Sequence, residues 1–213
     1  FWMSAHILRA LKMAQDAGYP VELNLNGLKV EYAHTRPYRG MKLEDIEILH
    51  ALHEWKVEAD YSSAVRLLEP FVRQLEQKED SLANRNKYYR PLSYLKEKLL
   101  LWEIKQQVDS VNVGDSVRPY LKKDMLEGVY CDDGRRTYYW EGNQMINTLI
   151  AYRIIKNDPS LCKLKENMQL YILRTKERGW NTYQASSAVA TVLTDLLAGS
   201  GGMSGTSVSV SGK

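Results

Sequence analysis

A chain of 213 residues with 29 basic and 26 acidic side chains, net charge +3, can bury a substantial core in one large domain, and its charge gives no drive toward nucleic acid or an anionic membrane. It has no run of 18 apolar residues, which excludes a membrane-spanning helix of ordinary length. Its two cysteines, Cys131 and Cys162, are too few for a disulfide scaffold and too far apart for a metal knuckle. They read as unpaired thiols acting as small hydrophobes, with a single bridge between them as the alternative.

The chain opens on Phe1-Trp2-Met3, neither an initiator nor a signal peptide, and runs straight into the helical spacing Met3, Ile7, Leu8, Leu11, Ala14. It is therefore expected to be cut from a longer protein, with its domain incomplete at the N-terminus. This first helix, 3–17, is stopped by Gly18 and Pro20. Segment 22–35 places Leu25, Leu28 and Tyr32 on one face; segment 43–58 carries Leu43, Ile46, Leu49, Leu52 and Trp55. Segment 62–79 repeats the pattern in Ala64, Val65, Leu68, Val72 and Leu75, with Pro70 inside it, where a missing donor predicts a kink or a restart. Segment 91–108 is the most regular, with Leu92, Leu95, Leu99 and Trp102, and its Lys96-x-Lys98 reads as a solvated face.

Residues 109–140 are less regular, with a short helix near 116–126 and a turn at Asp132-Asp133-Gly134. Segment 143–156 is apolar on most of its surface; 160–177 is amphipathic and basic at its end; 182–198 is rich in Ala, Ser and Val. No convincing strand pair precedes residue 199. The segment Gly199–Gly205 reads as a flexible connector, and Thr206–Val210 as a candidate strand whose partners lie beyond Lys213.

Helices rich in Ala, Leu and Ile (3–17, 43–58, 143–156, 182–198) alternate with more charged ones (22–35, 62–79, 160–177). Such alternation fits inner and outer rings of paired helices, an α/α toroid, because an inner helix is covered on more sides. An open solenoid of helix pairs would show the same pattern. The fold expected is all-α over 1–198, with 199–213 forming a linker and the start of a β-rich neighbour.

One stretch resembles a known family. Gly179-Trp180-Asn181-Thr182 leads into the small-residue helix containing Ala185, Ala188, Val189, Val192 and Leu196. This Gly-Trp-x-x-Thr-type step resembles one in the thioester-domain toroids of the alpha-2-macroglobulin and complement superfamily. Phe1-Trp2-Met3-Ser4-Ala5-His6-Ile7-Leu8 is similar to the family's Trp-x-Thr-Ala-x-x-Leu helix, with Ser4 in place of Thr, and Tyr139-Trp140 followed by Thr148 and Ala151 looks like a later repeat. The bacterial, cell-envelope members are the nearer likeness. The resemblance implies a non-enzymatic module of a periplasmic or envelope-associated protein that traps endopeptidases. It also implies β-sandwich domains of the same polypeptide and target proteases as partners, and no cofactor. The family's Cys-Gly-Glu-Gln thioester motif is not matched by Cys131, Cys162 or Glu76-Gln77, and in the family it would fall before Phe1. His34 lies in roughly the interval where some members carry an activating histidine, but Ala33-His34-Thr35-Arg36-Pro37 matches poorly, and a surface histidine is the plain alternative.

Two other constellations compete. His50 and His53, with Glu47 and Glu54, have helical spacing compatible with a metal but lack a zinc-protease signature, and read as polar positions flanking Leu49 and Leu52. Asp132 and Asp133, followed by Tyr138, Tyr139 and Trp140, could belong to a carbohydrate-active or cyclase-type toroid, but Asp-Asp-Gly is also how a hairpin turn looks. A peptide-binding helical scaffold is a third possibility. No phosphate loop or nucleophile elbow occurs. Trp180 and Thr182 are expected to be structural, as anchor and N-cap of the closing helix. Thr182→Ala should then cost about 1 kcal/mol and Trp180→Ala roughly 3 or more in chemical denaturation, and wild-type stability in both would dismiss the motif.

Overall fold

Helical spacing, cap residues and turn glycines account for most of the secondary structure in the computed structural model, which describes residues 2–16, 18–25, 40–137, 144–176 and 187–199. The molecule is mostly helical. Helix α1 spans Trp2–Asp16, and Gly18 follows it at φ +89°, a conformation that costs glycine little. Helix α2 spans Leu43–Glu54, and the Asp45 carboxylate accepts from the Lys42 N–H at 2.9 Å. It ends four residues earlier than the apolar pattern predicts. Lys56 adopts φ +54°, and the Val57 N–H turns back to the Leu52 carbonyl at 3.0 Å.

Helix α3, Tyr61–Arg85, starts where Asp60 accepts from the Ser63 N–H at 3.0 Å. It runs unbroken through Pro70, where a kink or restart was expected. Pro70 lies on the exposed side of the helix, while Ala64, Val65, Leu68 and Val72 hold the buried side. The acceptor that loses its ladder partner is then on the solvent side, where water can serve it. Helix α4, Leu95–Val108, is central: it packs against α2, α3 and a later helix, α6, Gln144–Ile155. That explains why Leu95, Leu99, Leu100, Leu101 and Ile104, which together cover most of its circumference, are all buried.

The expected helix near 116–126 is replaced by something tighter. A four-residue helix α5, Gly114–Val117, and a 3-10 turn, Arg118–Tyr120, lead into strand β1, Leu121–Lys123, paired antiparallel with β2, Val129–Cys131. So a strand pair does precede residue 199, against expectation. Its turn is built on Asp124, whose carboxylate accepts from the N–H groups of Leu126 and Gly128. A Cβ at Gly128 would sit 2.8 Å from that carboxylate, so the turn demands glycine there. Three-residue strands carry too little alternation to be read from pattern alone.

Helix α6 is buried on nearly every side. Helix α7, Cys162–Thr175, packs on α6 and β2; a π-helical turn, Val189–Leu193, leads into α8, Thr194–Gly199. The Tyr152 hydroxyl accepts from Gln169 at 2.8 Å and donates to Asp195 at 3.0 Å, tying these three helices together. Both thiols are unpaired; Cys131 is buried as expected, but Cys162 is exposed.

Apolar burial falls into two clusters. The main one centres on α4 and α6; a smaller one joins Ala5 and Leu8 of α1 to Ile48, Ala51 and Leu52 of α2. Helix α2 serves both, since Ile46 and Leu49 face the main core. Most of segment 22–35, and the motif residues Trp140, Gly179, Trp180 and Thr182, lie outside the described residues, as do His34 and the connector 200–213. The position of Pro70 yields a test: Pro70→Ala restores a helical donor on an exposed face and should stabilise the fold by about 1–3 kcal/mol in denaturant titration, whereas destabilisation would mean that the ring is packed.

Candidate functional site

Between the two apolar clusters lies a seam of buried charge. Helix α2 presents Glu47, His50 and Glu54 at three- and four-residue spacing along one face. Glu47 receives Arg9 Nη1 of α1 at 2.5 Å and pairs with the Lys96 ammonium of α4. His50 Nε2 is 2.8 Å from Glu103 of α4, and Glu103 is held by Arg153 of α6 through two parallel bonds of 2.6 and 2.7 Å. Arg9 Nε reaches toward Glu54 at 3.8 Å. The side chains of Arg9, Glu47, His50, Lys96 and Glu103 are all at most 8 % exposed. Four helices therefore meet through paired ions, most of them buried, with Arg153 of α6 a quarter exposed.

Pairing decides the charge states. Burial pushes the Glu47 carboxyl up, but Arg9 and Lys96 outweigh it and bring it down to about 2. Glu54 is likewise drawn down to about 2 by His50 and Arg9 against burial, and Glu103 falls well below the carboxylate range through Arg153 and His50. These groups are ionised at any physiological pH and are not proton donors. Burial alone would lower the His50 pKa, yet Glu54 and Glu103 raise it above 6.5.

A cavity of about 200 Å³ opens beside this seam, bounded by Arg9 and Lys12 of α1, Lys96 and Leu100 of α4, Ile150 and Arg153 of α6, and the hydroxyl residues Ser187 and Thr191. One wall is apolar and the other is charged. The space could admit a small molecule, but the cations named on its wall each have a carboxylate partner: Glu47, Glu54, Glu103 or, for Lys12, Asp16. A second, larger groove of about 330 Å³ runs between α3 and α4, where Lys98 and Lys105 pair with Glu76 and Glu69 beside Trp102.

The residues singled out from sequence fare differently. His50 is not an ordinary polar position but a buried member of the seam, whereas His53 stands edge-on to the Tyr61 ring at 5.0 Å. The two imidazoles have separate partners. Among the described residues no cluster of three or more His, Cys, Asp or Glu is arranged to hold a metal ion. Lys96, expected on a solvated face, is buried because α4 is covered by three other helices.

Asp132 and Asp133 do form a turn, although the hairpin turn proper lies at Asp124–Gly128. Asp132 accepts from the Gly134 N–H, Lys122 and Gln144; Asp133 accepts from the Arg135 N–H and the Ser93 hydroxyl. The two carboxylates thus serve different partners. Burial would raise Asp132, but these bonds outweigh it and lower its pKa, the opposite of what a general acid needs. Beside them, burial pushes the Cys131 thiol up to about 12, which leaves it inert as a nucleophile.

Arg9, Lys96, Glu103 and Arg153 were not anticipated. Part of the signal was available: Arg153 is the single charge in the otherwise uncharged helix α6, whereas half of α4 is polar and nothing in its pattern separates the buried Lys96 and Glu103 from the more exposed Lys98 and Lys105. No helix among the described residues is long and apolar enough to cross a membrane.

Glu97 is the exception to the pairing rule. Its carboxyl is pushed up to about 7, by burial first and, against the pull of Lys96, by Glu47 and Asp133. The folded state therefore holds this proton more tightly than the unfolded chain, and the stability so contributed is full below 4.5 and lost as pH rises to about 7. Glu97→Gln stays neutral, so it should match wild type near pH 4 but be more stable near pH 8, by up to about 3 kcal/mol in urea titrations. Equal stability of the two proteins at both pH values would show that Glu97 is not strained by burial. Comparison with known protein families finds no matching family model, and comparison with curated proteins and with solved structures finds no match either.

Proposed function

We propose that this chain is a non-enzymatic helical module, of α/α-toroid type, from a bacterial alpha-2-macroglobulin-like protein of the cell envelope that traps endopeptidases. The order of the Trp2–Leu8, Trp140–Ala151 and Gly179–Thr182 motifs along a mostly helical chain supports this reading. In that role the helices act as a rigid body beside β-sandwich domains of the same polypeptide in the periplasm. The observation that carries the non-enzymatic part is the seam. Its charges are spent on each other, joining α1, α2, α4 and α6, and Glu47, Glu54 and Glu103 are held ionised by their partners. The enzymatic alternative centred on Asp132 and Asp133 loses ground because both side chains cap local turns and face different partners.

The test uses the multidomain protein of which the chain is proposed to be a module. When mixed with an active endopeptidase, it should block cleavage of a large protein substrate while leaving hydrolysis of a small peptide substrate largely intact, as physical enclosure requires. Equal hydrolysis of both substrates with and without it would overturn the reading. Turnover of a polysaccharide by the 213-residue chain that vanishes in Asp132→Ala would replace it with the enzymatic one.

A further inference from the structure

Helix α1 is the described element least enclosed by the main core. It rests on α2 through Ala5 and Leu8, with the Trp55 Nε1–H donating to the Leu8 carbonyl at 2.9 Å, and Met3 and Ile7 are more than half exposed. Toward α6 it faces the cavity rather than packed side chains. Arg9 carries α1 into the charged seam.

The atoms around His50 place two incompatible contacts on one nitrogen. The ring meets Arg9 from α1, Glu103 from α4 and Glu54 from α2 itself, with His53 nearby on α2; behind these contacts Arg153 of α6 holds Glu103, and Glu47 with Lys96 of α4 holds Arg9. Nε2 meets Glu103 at 2.8 Å and donates to it whether the ring is neutral or charged. Nδ1 lies 3.5 Å from Arg9 Nη2, a donor, and 3.5 Å from Glu54 Oε2, an acceptor. The first contact requires a bare nitrogen and the second a protonated one.

We propose that His50 is a proton switch on the docking of α1: neutral His50 accepts from Arg9 and holds the helix, whereas protonated His50 turns its proton to Glu54, opposes Arg9 as a like charge and loosens it. The Arg9–Glu47 pair persists in both states, so the response is a graded rise in local opening and not full release. Against burial, which lowers it, Glu54 and Glu103 raise the pKa, so the switch operates above the range of an ordinary imidazole.

Local and global opening then respond to acid with opposite signs. Unfolding the whole chain removes Glu54 and Glu103, which favour the proton, so protonation of His50 supports the global fold below its folded pKa. Undocking α1 removes Arg9, which opposes the proton, while Glu54 and Glu103 stay in place on α2 and α4, so protonation favours the undocked form. This inference stands independently of the proposed function.

Hydrogen exchange of the 213-residue chain, corrected for intrinsic rates, reads both at once. In a Glu97→Gln background, which removes the titration of that carboxyl on the reference helix, passing from about pH 8.5 to about pH 6 should cost α1 amides about three- to tenfold in protection relative to α4 and α6 amides, the effect of half to one pK unit of coupling. Adding His50→Gln, which keeps a donor for Glu103 but cannot take charge, should remove the pH dependence of the relative protection of α1. Should that variant fail to fold, imidazole NMR of Arg9→Gln decides the matter: loss of the guanidinium should raise the His50 pKa by about half a unit or more. Relative α1 protection that stays constant or rises on acidification in the Glu97→Gln background, or an unchanged or lower His50 pKa in Arg9→Gln, would overturn the switch.

Discussion

Charges taken out of water must find opposite charges in fixed geometry, and this requirement governs how the helices of this protein are set against one another. Helix α4 is covered by α2, α3 and α6, so Lys96, Glu97 and Glu103 have no route to solvent. Glu103 is satisfied only where Arg153 of α6 and the His50 ring of α2 stand on either side of it, and Glu47 only where Arg9 and Lys96 converge. An apolar contact tolerates sliding by a fraction of an ångström; a parallel two-bond Arg–Glu pair does not. Breaking one such pair typically costs about 3–5 kcal/mol, because the partner is left buried and unpaired, even though the intact pair adds little over an apolar substitute. The seam is thus better understood as a device that sets register than as a source of stability.

Helix α2 is where that register is transmitted. One side joins the main core through Ile46 and Leu49, another the small cluster with α1 through Ile48, Ala51 and Leu52, and its polar line of Glu47, His50 and Glu54 runs along the seam. This leaves α2 with almost no free surface and makes α1 dependent on it. The cavity beside α1 has the complementary effect: α1 packs on α2 through Ala5 and Leu8, and toward α6 it meets a cavity, so polar contacts carry more of its position on that side. A protonation event at one imidazole can act on a whole helix only in such a place, where apolar burial is thin and charge pairing decides.

Elsewhere, acidic side chains that resemble chemistry turn out to be spent on the backbone. Asp60, Asp124, Asp132, Asp133 and Asp158 each accept from an N–H two to four residues on, shaping helix starts and turns. In Asp132-Asp133-Gly134 the proximity of two carboxylates is a product of turn geometry, with Gly134 at φ +74° and partners that pull the two groups apart. The lowered pKa of Asp132 follows from that use.

Local rules carried much of the architecture. Apolar spacing, cap residues and glycine stops determined α1, α4, α6 and α7 to within four residues, because each effect acts inside one or two helical turns, whereas α3 runs six residues past its expected end at 79. The same rules failed at the β1–β2 hairpin, where three residues per strand show no period, and at Pro70, whose consequence depends on which side of α3 is covered. They also failed at the seam. That Arg153 is isolated among apolar residues can be read from sequence; which carboxylate meets which cation cannot. Arg9 and Glu47 are 38 residues apart, and Arg153 and Glu103 are 50, and only the packing of four helices brings them within bonding distance. Sequence determined the helices by short-range physics, and tertiary structure alone decided which charges they bury together.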